Sequence, residues 1–252
     1  MMADRRWRWF HRLGSPPHVY SLAGRLAPWL GWIALILLLA GVVWGLVFAP
    51  PDYEQGDGFR IIYVHVPSAW LSLFVYTAMA VACAVGLIWR MKVAFAAAIA
   101  MAPLGAMFTF LSLATGSIWG QPMWGTWWAW DPRLTSQLIL LFLYLGFIAL
   151  NRAFPEQQTG DRASALLGVV GVVNVPIIHF SVDWWHSLHQ PATIAQFGPP
   201  AIDTAMLIPL LITAVGFKLY FLWLLCLQLR SELLYRERRA SWVKAEAGKI
   251  ST

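Results

Sequence analysis

The stretch Trp29-Leu-Gly-Trp-Ile-Ala-Leu-Ile-Leu-Leu-Leu-Ala-Gly-Val-Val-Trp-Gly-Leu-Val-Phe-Ala49 runs without a single charge and stops at Pro50-Pro51. About 20 apolar residues are what a helix needs to cross a bilayer, and the two prolines cannot continue one. Inside lipid every backbone polar group must find its partner within its own segment, so a run of this kind is helical. Five more such runs follow, and the spacing predicts helices near 29–49, 67–89, 93–116, 133–151, 163–181 and 204–228. Pro67 suits the first turn of the second helix, with His65 just ahead of it. The expected fold is an all-α membrane protein whose 252 residues form one six-helix domain, with little chain left between spans.

Composition agrees. Hydrophobic residues make up 59% of the chain and charged ones 12%, against about 45–50% and about 25% in soluble domains. The net charge of +6 does not point to nucleic acid, because the basic residues cluster beside the apolar runs. Fifteen of the eighteen lie in the two tails and the second and fourth loops, leaving Arg60, Arg133 and Lys218. The positive-inside bias predicts both termini in the cytoplasm, and loops near 50–66, 117–132 and 182–203 on the outer face. The first 28 residues lack the apolar core of a signal peptide, so the first helix is expected to stay in place. Cys83 and Cys226 both fall inside apolar runs and read as buried thiols. No Cys-x-x-Cys-His occurs, so the chain is not itself a c-type cytochrome.

The loop at 117–132 is the unusual one. Trp119, Trp124, Trp127, Trp128 and Trp130 place five of the sixteen tryptophans within twelve positions, ahead of Asp131-Pro132. An aromatic belt is the bland alternative, but belts spread over every helix end. The i, i+3, i+4 spacing of Trp124, Trp127 and Trp128 predicts a short interfacial helix with three indoles on one face. Such a surface suits a flat apolar or cationic ligand. Asp131 followed by proline is also an ordinary helix N-cap, which anchors the loop at the start of the fourth helix.

Six histidines are present. His11 and His18 lie in the basic tail, whereas His65, His179, His186 and His189 fall at the outward ends of helices. Imidazole is the usual axial ligand of haem iron. A zinc site would need a third ligand, and none stands near His186 and His189. Histidines from two outer loops with an indole platform therefore favour haem. Its carboxylates would look to Arg60, Arg133 or both, the outer cations, Arg133 being nearer the platform. A transporter moving haem across the bilayer, or a b-type electron-transfer cytochrome, are the competing readings. The first would line its path with polar groups at depth, where only Lys218 stands out. The second would set histidines at mid-span, where none occurs.

The string Trp119-Gly-x-x-x-Trp124-Gly-Thr-Trp127-Trp128-x-Trp130-Asp131-x-Arg133-Leu-Thr resembles the WWD signature of haem-handling membrane proteins. With Ile62-Tyr-Val-His65-Val-Pro67, the six-span layout and Trp185-x-x-Leu188-His189-Gln190, the chain resembles the cytochrome c maturation protein C (CcmC) family from about residue 20 to 230. Maturation protein F has a similar signature in a chain with many more spans. The resemblance implies that His65 and His189 are the axial ligands, and it leaves His179 and His186 without that role. It implies haem b bound transiently as cargo, and no enzymatic reaction on this chain. It further implies an inner-membrane site facing the periplasm, where haem is presented to the chaperone CcmE. The implied neighbours are the ATP-binding cassette pair CcmA and CcmB and the small protein CcmD. Consistently, the chain has no Walker A sequence.

Overall fold

The computed structural model describes residues 12–185, 187, 189 and 202–250. Helices account for almost all of them, and among the described residues there is no β-strand beyond an isolated bridge between Asp52 and Gly56. Among the described residues, six helical segments are long and apolar enough to cross a membrane.

Helix α1, Pro16–Val43, continues through a π-turn at Trp44–Phe48. It begins thirteen residues before its apolar run. Pro16 fits the first helical position, where no amide donor is needed, and the polar extension has its own packed face. Val19, Tyr20, Ala23 and Ala27 are buried there. Arg230 donates to the Tyr20 hydroxyl at 2.9 Å and lies 4.4 Å from its ring. Helix α2, Ile62–Trp89, also starts early, because a 3₁₀ turn at Asp57–Ile61 leads into it. His65 is therefore within the first turn of α2 rather than ahead of it, and Pro67 stands past that turn.

Helix α3, Lys92–Trp124, is the most buried of the spans and sits between α2 and α4, Pro132–Arg152. It outruns the predicted limit of 116, so residues 117–124, expected in the loop, are helical and carry Trp119 and Trp124. At Gly105 a Cβ would collide with the Tyr144 ring, so only glycine lets α4 seat that ring. Tyr144 in turn donates to the Ser72 carbonyl and Gln137 to the Ser72 hydroxyl, each at 2.8 Å. These bonds satisfy polar groups that lipid would leave bare.

The fifth span is broken. Helix α5, Gln157–Gly171, gives way to α6, Asn174–Trp184. Pro176 has no amide to offer the Val172 carbonyl four residues back, and Val175 supplies it instead at 3.0 Å. Asn174 holds the break by donating to the Ser136 carbonyl at 2.9 Å. The last span is α7, Thr204–Arg236, packed along α1, and α8, Ser241–Ile250, follows it. The loops at 49–61 and 125–131, together with residues 185, 187 and 189, lie at one end of the bundle. The two hairpins rich in arginine lie at the other.

Candidate functional site

Three local devices build the site. The first is the end of α3. Gly125 adopts φ +74° as a left-handed C-cap and its amide returns to the Gln121 carbonyl at 3.0 Å, which stops the helix after Trp124. A Cβ on Gly120 would press on the Trp124 ring at 2.9 Å, so the small residue lets that indole fold back on its own helix. Residues 125–131 are then non-helical, with Thr126 accepting from the Trp128 amide at 3.3 Å and donating to its carbonyl at 2.9 Å. The short interfacial helix predicted from Trp124, Trp127 and Trp128 is not formed, because the glycine C-cap separates Trp124 from the other two.

The second device is Asp131. Its side chain accepts the Leu134 amide at 2.7 Å and caps α4, with Pro132 at the first helical position, as predicted. The other carboxylate oxygen accepts from Ser187 and faces His189 Nδ1 at 3.6 Å. Burial alone would raise this carboxyl. The His189 imidazole, the Ser187 hydroxyl and the Leu134 amide outweigh it and hold the group at about 2.

The third is the opening of α2. His65 Nδ1 meets Thr115 Oγ1 at 3.0 Å, and Thr115 donates its single proton to the Leu111 carbonyl at 2.6 Å. Toward His65 the hydroxyl therefore accepts, so Nδ1 carries the ring proton and Nε2 keeps a lone pair. Gly116 makes room: a Cβ there would stand 3.1 Å from His65 Cε1. Trp119 packs edge-on against the same ring, with centroids 5.6 Å apart. Its indole nitrogen donates to Gln55 at 2.8 Å, and Phe59 braces its other side.

These devices divide the five tryptophans. Trp119 and Trp124 are half-buried and each packs on an imidazole, Trp124 lying 5.0 Å from the His189 ring. Trp127 and Trp130 are 63% and 77% exposed. Trp128 is half-buried, packs edge-on against Trp130, and has a buried indole nitrogen with no partner among the described residues. His189 Nδ1 is likewise buried without a hydrogen bond among them.

Of the cations, Arg133 is close enough to His65 for its charge to act on that ring, and its charge also acts with those of Asp131 and Asp183. Arg60 is already engaged, donating to Asp57 at 2.9 Å and to the Gly45 carbonyl at 3.0 Å. His179 is exposed on α6 against Phe180, and His186 lies outside the described residues, as do Leu188 and Gln190. Sequence reading missed Thr115, Gly116, Ser187 and Gln55. Thr115 and Gly116 stand in an apolar run fifty residues from His65, where nothing local marks them. Among the described residues no three of His, Cys, Asp and Glu gather as a metal-ion cage.

Comparison with known proteins adds to this geometry. A family model described as Heme exporter protein C matches residues 9–244. Heme exporter protein C of Haemophilus influenzae is 51% identical over 241 residues, covering 96% of this chain and 98% of its own. That of Escherichia coli strain K12 is 50% identical over 237 residues, covering 94% and 96%. That of Rhodobacter capsulatus is 40% identical over 227 residues, covering 90% and 94%. Matched over nearly its whole length by the family model and by these relatives, this multi-pass membrane protein belongs to the Heme exporter protein C family.

Proposed function

We propose that this chain binds haem b as cargo at the outer membrane–water interface and presents it to a periplasmic acceptor, the chaperone CcmE, in cytochrome c maturation. The observation that carries the reading is the pair His65 and His189, each with Nδ1 turned to a fixed oxygen and each packed on a tryptophan. An imidazole whose Nδ1 is held by an acceptor presents Nε2 to a metal with its orientation set, and its basicity is raised when the acceptor is a carboxylate. Names of the relatives point the same way, since a haem exporter handles haem.

In this reading His65 and His189 are the axial ligands, Trp119 and Trp124 hold the two rings, and Trp127, Trp128 and Trp130 cover the porphyrin. Exposure of Trp127 and Trp130 leaves that part of the platform open to an acceptor. Asp131 ties the platform, the His189 ring and α4 into one unit. Arg133 is the nearer cation for a propionate, and Arg60 would have to exchange one of its present acceptors to serve a second. Each group in this reading binds or orients the cargo, so the role is handling, and any covalent attachment belongs to the acceptor. The basic end would face the cytoplasm with both termini, and the histidine end the periplasm, of an inner membrane. CcmA, CcmB and CcmD are the proposed neighbours, and release of the cargo would draw on a conformational change they supply.

Spectra of the purified protein test this. Bis-histidine haem bands are expected in the parent and their loss in His65→Ala and in His189→Ala. Unchanged spectra and haem retention in both variants would remove the axial assignment.

A further inference from the structure

Lys218 has no place in the haem site. It lies on α7, fourteen residues past Thr204 and twelve before Arg230. At 1.5 Å per residue those are about 21 Å and about 18 Å of helix. The hydrocarbon layer is about 30 Å thick, so the ammonium group stands near its middle, beyond the reach of a lysine stem to either headgroup layer.

Ionisable groups at that depth ordinarily face the bundle interior and pair there. Lys218 does neither: it is exposed on the outer surface of the bundle and forms no ion pair among the described residues. Its ammonium group lies over the Phe74 ring, 4.6 Å away, which offsets part of the cost of the charge. Phe74 belongs to an exposed stripe of α2 formed with Trp70, Thr77 and Val81. Leu211 and Val215 precede Lys218 on the facing stripe of α7. The two helices run side by side here, joined by the Phe74–Phe221 contact at 6.2 Å.

We infer that this α2–α7 groove seats a transmembrane helix of another protein, one that carries an aspartate or glutamate at mid-depth to pair with Lys218. Charge selects the occupant. Lipid phosphates lie at the headgroup level and cannot meet the ammonium group. A second copy of this chain is a poor donor, because the carboxylates of its spans, Asp161, Asp183 and Glu232, stand near span ends. An acidic residue on a foreign helix removes the unpaired charge from lipid, and the apolar stripe around Lys218 supplies the remaining contact. Thr77, one turn beyond Phe74, adds a hydroxyl to the same surface. The inference uses no part of the haem reading.

Photo-crosslinking in native membranes tests it, with the full-length chain carrying a benzophenone amino acid at Thr77 or at Val215. Adducts are expected on a membrane-spanning peptide that contains Asp or Glu. Their yield, per molecule recovered in the membrane, should fall at least fivefold in Lys218→Met and persist in Lys218→Arg. Lys218→Glu should abolish the adduct, and changing the partner's acid to lysine should restore it. Adducts only to lipid, to porphyrin, to this chain, or to a segment without an acid would overturn the inference. So would a yield indifferent to Lys218→Met.

Discussion

At the basic end of the bundle, Arg236 donates to both oxygens of Asp161 at 2.8 and 2.9 Å and to Glu232 at 2.6 Å, while Asn151 reaches Asp161 and Ser164. At the histidine end, a carboxylate of similar burial spends one oxygen on a helix cap and shares the other between Ser187 and His189. There His189 Nδ1, 3.6 Å from Asp131, and the Trp128 indole nitrogen have no hydrogen bond among the described residues, and two large aromatic rings stay exposed. Both ends bury a charge. One satisfies it wholly from within, which locks α5 to α7. The other holds its groups in position beside exposed indoles. Buried nitrogens without a hydrogen bond among the described residues occur at both ends, Trp242 Nε1 and Arg230 Nε at the basic one. It is the exposed rings of Trp127 and Trp130 that distinguish a surface built for a ligand from one built for stability.

Breaking the basic end should have the largest effect on the fold. Asp161→Ala leaves Arg236, which is only 8% exposed, with Glu232 alone and its two terminal nitrogens without their acceptor, and a cost of about 3 kcal/mol is expected. Thermal unfolding in detergent would show it, while haem bound per folded molecule stays unchanged. Asp131→Asn should do the reverse. Asparagine still caps α4, so unfolding should shift by less than in Asp161→Ala, whereas the His189 ring loses its carboxylate and haem affinity should drop about 10–100-fold in titration. A large loss of stability in this variant would make the two ends alike and defeat the contrast.

The tryptophans sharpen it further. Trp119→Ala should cost about 2 kcal/mol through lost packing on His65 and Phe59. Trp130→Ala should cost less than about 0.5 kcal/mol, its ring being mostly exposed, and should appear instead as slower haem transfer in a reconstituted assay. The smallest expected effect is that of pH. Because the Asp131 carboxyl is held at about 2 in the folded protein, its stabilisation is complete above the ordinary carboxylate value near about 4. It is lost only as pH falls from there through about 2. Unfolding midpoints of the parent and Asp131→Asn should keep a constant difference from pH 5 to 8 and converge below about pH 4.

Several features were legible in the linear chain for reasons of chemistry alone. Uncharged runs of about 20 residues have one stable form in lipid, so six spans follow from composition. Asp131-Pro132 is a local device, and it caps α4 as its residues require. The ends of helices were harder to read. The segment Val19–Ala27 extends α1 beyond its apolar run because Val19, Tyr20, Ala23 and Ala27 pack inward while His18, Ser21 and Arg25 stay exposed, and the 3₁₀ lead-in at Asp57–Ile61 extends α2.

The tryptophan cluster and the candidate histidines are matters of residue type and order, and the sequence alone determined them. What each indole does depends on how the helices pack. Periodicity treated Trp124, Trp127 and Trp128 as one face, but Gly125 ends the helix between them, and Trp119 and Trp124 turn to His65 and His189 instead. Thr115 and Gly116 acquire meaning only when α3 lies beside α2. Ring orientation, tautomer and the room for an imidazole depend on atoms fifty residues apart, and such contacts are set by packing rather than by any local pattern.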